Sequence, residues 1–151
     1  MLRVTKLTDY ATVVLTVLAA ARGEVLSATE IAERAGLEAT TVSKVLKPLA
    51  QATLVEGFRG AHGGYRLARP ARDIALIDVI EAMEGPLAVT ECSVHDGQCG
   101  IESSCGIRRN WRRINDVIVQ SLSGITLQDM LEPEIDTGAA RRRIDLRLAN
   151  V

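Results

Sequence analysis

Thr53-Leu-Val-Glu-Gly-Phe-Arg-Gly-Ala-His-Gly-Gly-Tyr-Arg-Leu67 is the stretch that decides the fold. Thr53–Phe58 and Tyr65–Leu67 read as two short strands, and Arg59–Gly64 between them reads as a glycine-rich turn. The stretch therefore predicts a β-hairpin. Its tip carries Arg59 and His62, with Arg66 close behind. Arginine on a narrow loop is suited to a DNA minor groove. The plain alternative is a structural hairpin whose charges are incidental.

The residues upstream favour the first reading. Ser27-Ala-Thr-Glu30 has the form of a capping box, in which the Ser27 hydroxyl covers the Glu30 amide and Glu30 reaches back. A helix over Ala28–Ala35 follows, stopped by Gly36. A second helix, starting at about Glu38 or Thr40 and running to Ala50, places Val42, Val45, Leu46 and Leu49 on one face, with Pro48 late in it. Its other face carries Thr40, Thr41, Ser43, Lys44 and Lys47. Two short helices joined at a glycine read as helix-turn-helix, the second being the recognition helix. An α-hairpin with a solvated polar face fits the helices alone equally well. The hairpin that follows directly is a wing, and the combination points to DNA binding. Before the motif, Leu7–Ala21 reads as an amphipathic helix with Thr8 as candidate N-cap and Asp9 in the first turn, where a carboxylate suits the helix dipole.

Downstream, Ile74–Met83 reads as a short helix, or as a brief strand and then a helix, broken at Gly85-Pro86. All three cysteines then fall within fourteen residues, Cys92, Cys99 and Cys105, spaced C-x6-C-x5-C with Gly97, Gly100 and Gly106 among or beside them. Thiolates bind soft metals and hold most iron–sulfur clusters, and glycines let a short loop bring its sulfurs together. Three unliganded thiols, or one disulfide and a spare thiol, are the alternatives. Ile107–Leu122 reads as a long helix with Trp111, Ile114, Val117, Ile118 and Leu122 on a stripe and four arginines (108, 109, 112 and 113) at its start. Such a helix is a natural dimer contact, the alternative being that it packs back on its own domain. Thr126–Leu131 adds one or two helical turns before Pro133. The polar remainder is expected to be a mobile tail.

Composition bounds the partners. Of 151 residues, 47% are apolar, 25% charged and 3% aromatic, which fits an ordinary soluble protein without an aromatic binding surface. No apolar run is long enough to span a membrane. The apolar stretch Ala11–Ala21 lacks a cleavage site and reads as a core helix. Three cysteines without an export signal suggest the cytoplasm. Residues 1–80 hold ten Lys/Arg against eight Asp/Glu (net +2), and residues 81–151 hold eight against eleven (net −3). The first half is thus permitted, not compelled, to bind nucleic acid. Neither of the two histidines pairs in sequence with a nucleophile and an orienting acid, so no enzyme is expected.

Together these pieces resemble the iron–sulfur-sensing winged-helix repressors typified by IscR and NsrR, the Rrf-two family. The resemblance rests on Leu7-Thr-Asp-Tyr-Ala11, Ala32-Glu-Arg34, the wing Arg59–Leu67, Ile80-Glu-Ala82 and the cysteine triplet, and covers residues 1–131. Within the family the chain is most similar to regulators of the sulfur-mobilisation (Suf) cluster-assembly operon. The resemblance implies a homodimeric, cytoplasmic repressor of an operator in double-stranded DNA. It implies base contacts around Thr40, Ser43 and Lys44 and a minor-groove contact from Arg59. Ser43 and Lys44 stand where IscR-like members carry Glu-Gln. It also implies a [4Fe-4S] or [2Fe-2S] cluster on Cys92, Cys99 and Cys105. Arg108 stands where IscR-like members carry a ligating histidine, and protonated arginine cannot ligate. Asp9 stands where NsrR-like members supply an aspartate from the partner subunit. Asp9 is therefore the first candidate for the fourth ligand, His95 the second and an external ligand the third.

The expected architecture is mainly α with one small β-hairpin: a winged helix-turn-helix domain plus a long dimerisation helix. The expected segments are a DNA-binding domain over 1–84, a cluster-binding loop over 85–106, a dimerisation helix and following turn over 107–132, and a tail over 133–151. The rival functions are a zinc- or thiol-redox-responsive winged regulator, in which His95 would complete a tetrahedral zinc site, and a cluster or thiol carrier that does not bind DNA. The carrier reading lacks the usual C-x-x-C motif.

Overall fold

The computed structural model describes residues 3–93, 100–101 and 104–132. The architecture is mainly helical with one two-stranded antiparallel sheet. Helix α1 spans Lys6–Ala20, α2 Ala28–Ala35 and α3 Ala39–Gln51. Strands β1, Val55–Phe58, and β2, Gly64–Leu67, form the hairpin, and α4 (Leu76–Glu84), α5 (Arg108–Ser123) and α6 (Leu127–Leu131) follow. Short 3₁₀ turns at Ala71–Asp73 and Glu91–Ser93 link them. The expected mobile tail lies outside the described residues.

Helices α1 and α2 start at side-chain caps. The Ser27 capping box forms as the sequence reads. Ser27 Oγ accepts from the Glu30 amide at 3.2 Å, and Glu30 Oε2 accepts from the Ser27 amide at 2.8 Å. The Ser27 amide and hydroxyl both donate to the Glu30 carboxylate, which favours its ionised form and holds its pKa below the usual range. Gly36 closes α2 in the left-handed region, φ +65°, where only glycine is unstrained. Helix α1 starts one residue earlier than the sequence reading, and its N-cap is Thr5, not Thr8. The Thr8 hydroxyl is engaged elsewhere: it donates to Glu84 Oε1 at 2.5 Å, across 76 residues of chain. The strand expected from Thr53 begins at Val55, because Thr53 ends α3 instead. Its φ is +55°, and the Leu54 amide donates back to the Leu49 carbonyl at 2.9 Å, as in a Schellman cap.

The core joins the inner faces of α1, α2 and α3: Ala11, Val14, Leu15, Leu18, Ile31, Val42 and Leu46 are all at most 1% exposed. Burying each of the Val, Leu and Ile side chains among them contributes about 1.5–3 kcal/mol. The chain after Asp73 pairs with the chain before α6 through one isolated bridge, Ala75 to Thr126, so this segment is a short helix preceded by a single bridge residue and not by a strand. Leu127, 2% exposed, thereby enters the same core. Helix α6 thus returns to the first domain, and α5 is the excursion between two anchored points. The hairpin register sets Val55 against Leu67, Glu56 against Arg66, Gly57 against Tyr65 and Phe58 against Gly64. The returning strand is stitched down by Leu26, whose amide and carbonyl bond Tyr65 at 3.0 and 2.7 Å.

Candidate nucleic-acid interface and cysteine segment

The inward pull of Val42, Val45, Leu46 and Leu49 sets the outward face of α3. Thr40, Ser43, Lys44 and Lys47 are exposed there, and Thr41 is half-buried. The Ser43 hydroxyl donates to the Ala39 carbonyl at 3.0 Å, so its free lone pairs make it an acceptor toward a ligand. Thr40, Thr41, Lys44 and Lys47 supply donors of the kind that bond phosphates and base edges. Helix α3 packs on β1, so recognition helix and hairpin belong to one body. At the hairpin tip Arg59 and His62 are both exposed, and neither forms an ion pair among the described residues. The tip is closed by Gly63 N–H donating to Gly60 O at 3.0 Å, with Gly60 at φ +106°. A side chain on Gly64 would run into the Leu26 carbonyl, which explains a glycine at that position.

Behind β1 and β2 lies an arrangement that residue types alone did not reveal. Arg66 bonds Glu56 Oε2 through Nε at 3.1 Å and Nη2 at 3.0 Å, and its guanidinium stands 4.8 Å from the Phe58 ring centre. The signal was available only through the strand register.

The cysteines divide. Cys92 lies on the 3₁₀ turn Glu91–Ser93 and is 8% exposed, with Thr90 Oγ1 at 3.3 Å from its sulfur. The turn is docked on α5: Arg112 Nε donates to the Cys92 carbonyl at 3.0 Å, and the Val89 amide donates to Asn115 Oδ1 at 3.0 Å. Asn115 is 5% exposed, the one buried residue of α5. Cys105 is half-buried just before α5, on the rim of a polar cleft of about 540 Å³ lined by Gly106, Arg108, Arg109, Asn110 and Arg112. Cys92 and Cys105 carry free thiols. Cys99 and His95 lie outside the described residues. Asp9 is exposed on the first turn of α1, and no group of three or more Cys, His, Asp or Glu converges among the described residues. Within one chain, Asp9 does not join Cys92 and Cys105.

Glu84, the last residue of α4, was not singled out by the sequence reading. It accepts from the Thr8 hydroxyl and, at 2.9 Å, from the Thr5 amide, and these bonds hold its pKa below the usual carboxylate range. The link to the cysteine segment therefore leaves from a point tied to the start of α1, next to Asp9. Helix α5 carries apolar residues over a wide arc. Its inner side docks on α4 and the Cys92 turn, while Ile114 (45% exposed), Val117 (37%) and Ile118 line an apolar hollow of about 390 Å³.

The comparisons agree with this geometry. A family model described as Rrf2, iron-dependent transcriptional regulator, matches residues 4–133. Protein aau3 of Rhizobium meliloti is 38% identical over 139 residues, covering 89% of this chain and 90% of that protein. Among solved structures, the global cysteine regulator CymR of B. subtilis matches with a TM-score of 0.66 at 29% identity, covering 87% of this chain and 97% of that one. IscR of T. potens matches with a TM-score of 0.62 at 33% identity, covering 86% of each. No helix among the described residues is long and apolar enough to cross a membrane. Fold, hairpin and sequence together place the chain in the Rrf2 family of winged-helix, DNA-binding transcriptional regulators, which are not enzymes.

Proposed function

We propose that the protein is a cytoplasmic, homodimeric repressor that senses iron–sulfur cluster status through Cys92, Cys99 and Cys105, and that it controls Suf-type cluster-assembly genes. The observation that carries this reading is the docking of the Cys92 turn on α5 through Arg112 and Asn115. It ties the main chain of a cysteine-bearing turn to the helix whose outer apolar residues Ile114 and Val117 are exposed among the described residues.

The donor set fits the group. Thiolates are the usual ligands of iron–sulfur clusters, and the arginines beside Cys105 supply positive charge near an assembly of thiolates. Cys92, Cys99 and Cys105 would hold the cluster, with Asp9 of a second copy as first choice for the remaining ligand and His95 as second. The cluster would supply sensitivity to iron, oxygen or redox state. Arg112 fixes the Cys92 turn on α5, Ile114 and Val117 face the second copy, and Glu84 ties the link to α1. The two recognition helices of a dimer read half-sites about one DNA turn apart, ~34 Å, so a rotation about α5 changes affinity. Thr40, Thr41, Ser43, Lys44 and Lys47 on α3, with Arg59 and His62 on the wing, are the DNA contacts in this reading. The choice of target genes rests on the sequence resemblance to Suf-operon regulators alone.

The test is anaerobic purification with iron and sulfide counting, visible spectra, and DNA titration of loaded and cluster-free forms. A coloured protein whose DNA affinity changes on cluster loss, with both properties absent after triple Cys→Ala substitution, is the expected result. Colourless, iron-free material from oxygen-free cells overturns it. The likeness to CymR then favours a second reading, a thiol- or zinc-responsive regulator on the same fold.

A further inference from the structure

We propose that Glu56, Phe58 and Arg66 form a bracket that positions the wing, so that Arg66 aligns Arg59 on DNA without itself neutralising a phosphate. The inference rests on the reading of α3 and the wing as the DNA-contacting surface.

Side chains alternate across a strand, so the register places these three on one face of the hairpin. The opposite face belongs to the domain: Val55 is buried, Tyr65 and Leu67 pack on the core, and the Tyr65 ring closes over Gly57. On the outer face Glu56 stands directly across from Arg66, and Phe58 is the next residue on that side toward the tip. The Arg66 guanidinium is thus held from two directions, by the Glu56 carboxylate and by the Phe58 ring. Both Glu56 and Arg66 remain about half exposed, at 53% and 43% of their side chains, and an ion pair this open adds little to stability. Its consequence is geometric. Phe58 is the last residue of β1, and Arg59 is the first residue of the tip. Fixing the Phe58 ring fixes the direction in which the chain leaves the strand.

The charge balance separates two roles. The Arg66 charge is already met by Glu56, whereas Arg59 has no ion-pair partner among the described residues. A phosphate approaching Arg66 would also meet the Glu56 carboxylate. Arg59 is therefore the contact, and Arg66 is a positioning residue.

The test uses the full-length protein and a duplex selected by the parent from a random pool, with affinity measured across a series of salt concentrations. Each phosphate neutralised adds about 0.9 to the slope of log affinity against log salt. Arg59→Ala is expected to weaken binding and to reduce that slope by about one contact. Glu56→Ala and Phe58→Leu are expected to weaken binding several-fold with the slope unchanged. Arg66→Lys, which keeps the charge but loses the planar fork and stack, is expected to weaken it likewise. The sign for Glu56→Ala is the discriminating one, since removing a negative charge should by electrostatics alone tighten binding to DNA. Tighter binding of Glu56→Ala with a steeper slope overturns the proposal, because it means that the released Arg66 grips phosphate. Loss of effect at Arg59→Ala and Lys44→Ala sinks the interface reading itself, a different failure. Unchanged thermal midpoints confirm that each variant is folded.

Discussion

The winged domain and the cysteine segment with α5 satisfy their residues in opposite ways. Helix α1 buries six of its fifteen residues within its own chain, while α5 buries one of sixteen and shows Ile114 and Val117 to solvent. In the first region, caps, turns and core agree, which is the mark of a unit that specifies itself. In the second, the polar anchors Arg112 and Asn115 hold the Cys92 turn, but the apolar arc of α5 is wider than its own domain can cover. Exposed apolar residues on one side of a helix suit a contact site. The winged domain is covered by its own chain, whereas the function proposed above assigns the outer side of α5 to a second copy.

That contrast can be broken by experiment. Leu46→Ala, at 1% exposure, is expected to cost ~2–5 kcal/mol in chemical denaturation. Ile114→Ala is expected to change the stability of the isolated subunit by less than ~0.5 kcal/mol. If the two costs come out alike, the helix is part of the core and the contrast is wrong. Next in size, the double variant Ile114→Glu/Val117→Glu is expected to sediment as a folded monomer with an unchanged helical circular dichroism signal. Persistence of a dimer would move the contact elsewhere. Ser27→Ala removes the capping box that leads into the helix-turn-helix, and a loss of ~0.5–2 kcal/mol is expected in the same denaturation assay. The smallest effect belongs to the strap at Glu84. Its folded pKa is depressed by the Thr8 and Thr5 bonds, so its contribution is present above the unfolded carboxylate value of about 4.3 and is lost as pH falls through the lower folded value. Glu84→Gln is expected to lower the thermal midpoint slightly at neutral pH and to match the parent in acid. A gap that persists unchanged at low pH would show that the charge is not involved.

What could be read from sequence was whatever depends on neighbours in the chain. Ser27 and Glu30 are three residues apart, Gly36 follows its helix directly, and the hairpin glycines sit between their strands, so each left a local signature. The helical stripe on α3 located the exposed face that carries Ser43, Lys44 and Lys47. What failed depends on distance. Thr8 looks as good an N-cap as Thr5 until Glu84 claims its hydroxyl. Thr53 looks like a strand residue because β-branched residues favour strands, yet the end of α3 needs a left-handed residue there. Arg66 looked like one more basic residue near the tip, and only the pairing with Glu56 changes its meaning. Asn115 carried a faint signal, a polar residue among the apolar positions of α5, and Arg112 carried none among four arginines. The candidate site was therefore visible as an inventory of residue types, while its internal connections were not.

The pair of main-chain bonds between Leu26 and Tyr65 has a mechanical consequence. The strand returning from the wing is clamped to the segment that feeds α2, and the outgoing strand grows from the end of α3. Hairpin and recognition helix are therefore joined at two places into a single probe. On the function proposed above, a signal arriving at the cysteines moves that probe as a whole rather than one tooth of it against another. In that reading the signal changes where one whole probe stands relative to its twin, much as a pair of calipers measures by opening rather than by bending its points.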